Sequence, residues 1–61
     1  MNRKEIEQLH NQIITEKQYE EIIEHEEVAT IDCVGNSGQY PSAIWYDAQF
    51  TDGTAIHVFL K

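Results

Sequence analysis

Three observations predict an α+β domain in which a two-helix N-terminal hairpin, at about residues 3-26, packs on a three-stranded antiparallel β-meander at about 28-60. Before Val28, apolar residues recur at helical spacing behind two N-cap signals. From Val28 onward the pattern changes to period two and becomes rich in β-branched and aromatic residues. Gly, Asn, Ser, Asp and Pro collect between the segments so defined. The resulting order is ααβββ, two layers around one core.

Asn2 followed by Glu5 has the spacing of an N-cap and its N3 partner, and Ile6, Leu9 and Ile13 then fall on one helical face. Thr15 and Gln18 repeat that signal for a second helix, with Ile14 placed to staple onto Tyr19 and with Tyr19, Ile22 and Ile23 as its apolar stripe. Asn11 to Thr15 forms the connection. Each helix is too short to be stable without packing on something else.

Val28 to Val34, Ala43 to Phe50 and Thr54 to Leu60 read as the strands, with Gly35 to Ser42 as a flexible connector between the first two. The register of the last hairpin decides which face is buried. A two-residue Asp52-Gly53 turn pairs Thr51 with Thr54 and leaves both faces mixed. A three-residue Thr51-Asp52-Gly53 loop, closed by a left-handed Gly53, pairs Phe50 with Thr54. Ile44, Tyr46, Ala48 and Phe50 then share a face with Ile56, Val58 and Leu60, and this register is the one expected. Trp45 opposite Phe59, Asp47 opposite His57 and Gln49 opposite Ala55 occupy the other face.

The chain has 61 residues, which bounds it to one domain burying about 60% of its unfolded surface. Eleven acidic residues against four basic ones give a net charge of -7, which argues against direct grip on a nucleic acid. The acidity is concentrated before Val28, where eight Glu face three basic residues. A lone Cys33 excludes an internal disulfide, and no segment approaches a membrane span, so a cytoplasmic location is expected. His10, His25, His57 and Cys33 fall in no metal-ligand spacing. Neither an enzyme, a metal site nor a cofactor is therefore expected.

Two groups of residues stand out as partner-binding candidates. Glu16, Glu20, Glu24 and Glu27 succeed one another at i+4 or i+3, where like charges repel by about 0.2–0.5 kcal/mol per pair. The later ones also approach a helix C-terminus, where the macrodipole disfavours them. Such a stripe either meets a basic partner surface or serves as a solvated face. Trp45, Phe59, Asp47 and His57 form the second group. Two large aromatics on the face away from the helices suit a partner contact or a homodimer; were the helices to cover that face instead, Trp45 would be ordinary core. The last strand, residues 54-60, ends the chain at a meander edge and is apolar at Ile56, Val58, Phe59 and Leu60, which suits pairing between two copies.

Residues 9-22, Leu9-His10-Asn11-Gln12-Ile13-Ile14-Thr15-Glu16-Lys17-Gln18-Tyr19-Glu20-Glu21-Ile22, resemble the SHOCT-like helical hairpin, with Asn11-Gln12 where that hairpin usually has Gly. In size, acidity and Glu/Ile/Asn usage the whole chain is similar to small acidic accessory proteins of phages and mobile elements of Gram-positive bacteria. That resemblance implies inhibition of a host enzyme or defence system. The expected function is thus a protein-binding inhibitor of a basic nucleic-acid-handling or defence protein; the alternative is a homo-oligomeric structural or regulatory subunit.

Overall fold

The computed structural model describes all 61 residues. Its elements are α1 (Arg3–Glu7), β1 (Gln12–Ile14), α2 (Glu16–Glu24), β2 (Val28–Asn36), β3 (Ile44–Phe50) and β4 (Ala55–Leu60), and the four strands form one mixed sheet in the order β1-β4-β3-β2. The expected ααβββ meander is therefore corrected. A strand stands between the helices, and α1 is little more than a single turn.

Both N-cap signals form complete capping boxes. The Asn2 side chain accepts from the Glu5 N–H, and Thr15 Oγ1 accepts from the Gln18 N–H at 3.1 Å, with Glu5 and Gln18 reciprocating. Beyond Glu7 the chain departs from the helical pattern. Successive i to i−3 bonds, from Leu9 to Ile6 and from His10 to Glu7, tighten the end of α1, and Asn11 adopts φ 64, the left-handed conformation. Asn tolerates that region better than other side-chain-bearing residues, and it turns the chain out of the helix. Gln12, Ile13 and Ile14 then run parallel to β4, opposite Val58, Phe59 and Leu60. A strand alternates faces, so Ile14 enters the core while Ile13, which a helix would have put on the Ile6 side, is 41% exposed. The helical hairpin suggested by the SHOCT-like resemblance is absent for this reason.

The β3–β4 hairpin has the three-residue register. Phe50 N–H donates to the Thr54 carbonyl at 2.8 Å, Gly53 has φ 93, and Trp45, Asp47 and Gln49 pair with Phe59, His57 and Ala55. Gly53 is needed at that position because other residues rarely adopt its φ. On the face so defined, α1 and α2 cover Ala48, Phe50, Ile56 and Val58 with Ile6 and Ile22, and Tyr19 tilts onto Tyr46 at 5.0 Å between centroids. Burial, with Tyr19 and Cys33 nearby, pushes the Tyr46 hydroxyl above its ordinary pKa.

Arg3 fastens three segments on this side. Its guanidinium lies 3.7 Å over the Phe50 ring, and its nitrogens reach Glu27 at 3.1 Å, Asp52 at 3.0 Å, Thr54 at 2.9 Å and Glu7 at 3.4 Å. The start of the chain is thereby joined to the end of α2 and to the hairpin loop. Asp52, receiving the Thr54 hydroxyl and N–H together with Arg3, is held down to about 2.

The expected β4 edge is covered over most of its length. β1 occupies it over Val58 to Leu60, and just before that the Asn11 N–H donates to the His57 carbonyl at 2.7 Å while the His57 N–H donates to His10 Nδ1 at 3.1 Å. From His57 to Leu60 the outward backbone of β4 is therefore already engaged within the chain, which leaves only its first residues open to a second copy. The long open edge is β2, which bonds only to β3 and is broken by irregularities between Val28 and Thr30 and between Cys33 and Gly35.

Candidate functional site

The sheet face turned away from the helices is organised in transverse rows, because registered residues point to the same side. One row runs Gly35, Trp45, Phe59, Ile13; the next runs Asp32, Asp47, His57; a third runs Thr30, Gln49, Ala55. Trp45, Phe59, Asp47 and His57 are thus brought together as expected, and the helices do not cover them.

Their exposures are unequal. Phe59 is buried, since the loop from Ser37 to Ala43 folds back over it and Tyr40 meets its ring edge-on at 4.9 Å. The loop is held by its own hydrogen bonds. Ser37 Oγ accepts from the Gln39 and Tyr40 N–H groups, the Ser37 N–H donates to the Ala43 carbonyl, and Tyr40 Oη donates to the Asn11 carbonyl at 3.2 Å. Sequence reasoning missed Tyr40, Ser37, Asn11 and His10 as parts of this face. A serine two and three residues before the amides it satisfies was a readable turn signal; the other three act through contacts distant in sequence.

Trp45 stays half-exposed. Its indole N–H donates to His57 Nδ1 at 3.2 Å, with the rings edge-on at 5.4 Å. An Nδ1 that accepts this bond carries no proton, so the ring proton of neutral His57 sits on Nε2. The same Nδ1 lies 3.4 Å from Asp47 Oδ1, which has no hydrogen-bond donor. In this tautomer two acceptors face each other, and Asp47 stands beside a second carboxyl group, Asp32, directly across the strand. Trp45, His57 and Phe59, with Asn11 and the loop residues Ser37 to Gln39, also line a shallow cavity of about 170 Å³.

The acidic candidates lie elsewhere. Glu16, Glu20 and Glu24 are exposed on α2, on the side of the sheet opposite Trp45, so no flat partner surface reaches both groups at once. Glu27 is separated from them by its bond to Arg3 and serves to fasten the fold. Glu16, Glu20, Glu24 and Asp32 have no basic partner.

Cys33 and His57 are not brought together as a nucleophile and base. Cys33 pairs with Tyr46 and His57 with Asp47, so the thiol and the imidazole project from opposite faces. No group of three or more His, Cys, Asp or Glu side chains is placed to hold a metal ion. His25 instead accepts the Glu27 N–H at Nδ1, at the end of α2. No helix is long and apolar enough to cross a membrane. No protein-family model matches the chain, and neither a curated protein nor a solved structure matches it.

Proposed function

We propose that the chain is a non-catalytic binding module that inhibits a basic nucleic-acid-handling or defence protein by occupying its cationic surface. The observation that carries this reading is uncompensated charge. Glu7, Glu27 and Asp52 have a Lys or Arg partner, and it is the same Arg3 for all three, while the exposed acids of α2, the exposed Asp32 and its part-buried neighbour Asp47 have none. Like charges left adjacent cost stability, and a complementary partner relieves that cost while the field speeds association. The similarity to small acidic phage accessory proteins points the same way. Trp45, of the residue type most enriched at binding hot spots, anchors the contact on its own face, and the α2 acids on the opposite side contribute through their long-range field.

The test is capture by the tagged chain from bacterial lysate at low and moderate salt, with a nucleic-acid binding assay then run on whatever is captured. A basic protein retained stoichiometrically at low salt, shed as salt rises and deprived of its nucleic-acid binding by the chain, is the expected result. Recovery of the chain's own copies alone would instead favour a homo-oligomeric subunit. Reversing Glu20 and Glu24 to Lys should slow association and flatten its salt dependence; an unchanged dependence removes α2 from the contact.

A further inference from the structure

We propose that the open edge of β2 is the docking site, and that it accepts an extended basic segment of the partner as a fifth strand, with a cationic side chain seated beside Asp32 and Asp47 on the Trp45 face. This rests on the reading of a basic protein partner and specifies how that partner is held. Three observations converge on it. No backbone group from Ala29 to Asn36 bonds to anything beyond the sheet's own ladder, so the outward N–H and C=O groups are free to pair. The stretch from Thr30 to Cys33, between the two irregularities, pairs regularly with β3 and presents a straight template. Its centre is Asp32, which continues the row of Asp47 and His57.

Charge chooses the occupant. A residue added across from Asp32 extends that row to four side chains, two of them already carboxylates with no Lys or Arg partner. An arginine there places its fork against Asp32, with Asp47 next in the row, whereas a second copy paired through the middle of β2 would bring Asp32 toward another Asp32. Glycine in the neighbouring row leaves room: the space where a Gly35 side chain would stand is empty to 4 Å, so a long cationic stem can pass there toward the Trp45 indole.

Trp45 is the only tryptophan, so its emission reports on this face alone. The probe is a short peptide alternating arginine and valine, compared with versions in which citrulline replaces arginine or alternate backbone amides are N-methylated. The arginine peptide should shift Trp45 emission saturably, and Asp32→Asn should weaken it roughly tenfold while the variant itself melts at a higher temperature. Citrulline and N-methylation should each abolish the shift. Binding without an emission change, or equal binding of the N-methylated peptide, overturns edge docking. A concentration-dependent dimer by sedimentation that Asp32→Asn strengthens and the arginine peptide fails to dissolve would give the edge to a second copy. Should the captured basic protein bind without perturbing Trp45, the inhibitor reading stands and this inference falls; should the peptide bind but no basic protein be captured, the reverse holds.

Discussion

The two faces of the sheet are closed by different means. On one side, α1 and α2 lay Ile6 and Ile22 over Val58, all three with no exposed surface, and Arg3 clamps the rim. On the other, a loop covers Phe59 with a single tyrosine ring and leaves Trp45, His57 and Asp47 partly open. The helical face uses its residues to fill volume and to satisfy both caps. The loop face keeps an unmatched carboxylate pair and an indole at the surface, features that a fold this small would do without if stability were its sole requirement.

Mutations should grade along that difference. Ile22→Ala on the helical face should cost about 2–5 kcal/mol, enough to unfold most of a domain of this size, as read by urea denaturation. A cost under about 1 kcal/mol would mean that the helices are loosely applied. Trp45→Ala on the other face removes a half-buried side chain and should cost about 1.5–2.5 kcal/mol, roughly half the value of full burial, with the folded spectrum retained. Tyr40→Ala should come next at about 0.5–1.5 kcal/mol, the worth of an edge-on aromatic contact, and should raise dye binding to the exposed Phe59. If Trp45→Ala proves as costly as Ile22→Ala, the loop face is core, and the contrast collapses.

The legible parts of the fold were those set by neighbours in sequence. Two capping boxes need only residues three apart, and the β3–β4 register needs only a turn and an alternating pattern, so Asn2, Thr15, Gly53 and the Trp45/Phe59 and Asp47/His57 pairs could be placed. β1 could not. Leu9 and Ile13 have helical spacing, and what makes Gln12 to Ile14 a strand is the unsatisfied edge of β4, at Val58 to Leu60 near the other end of the chain. The same long-range cause covers Val58 to Leu60, so most of the edge expected to pair with a second copy is filled from within the chain. The candidate face was legible in its residue pairs and illegible in its cover, since nothing local says that Tyr40 returns to Asn11 and Phe59. Charge patterning likewise revealed the α2 stripe but not the removal of Glu27 from it by Arg3, a partner 24 residues away.

The clamp on the helical face supplies the smallest and most selective test of the contrast, through pH. Asp52 sits in the β3–β4 loop with an ordinary value of 3.8 lowered to about 2 by the Thr54 hydroxyl, the Thr54 N–H and Arg3. A carboxyl whose folded pKa is depressed binds its proton more readily when unfolded, so its contribution is complete above about pH 4 and disappears as pH falls through about 2. Thermal midpoints of the wild type and of Asp52→Asn should therefore differ at neutral pH and draw together between about pH 4 and about pH 2. Ile22→Ala alters no titrating group and should run parallel to the wild type across the same window. A constant gap for Asp52→Asn would show that the loop is held by the geometry of Thr54 and Gly53 alone. Arg3→Met separates the remaining contributions: it keeps an apolar stem over Phe50, loses the charge, and should retain part of the Asp52 pH dependence because the Thr54 hydrogen bonds, the leading cause of the depression, survive it.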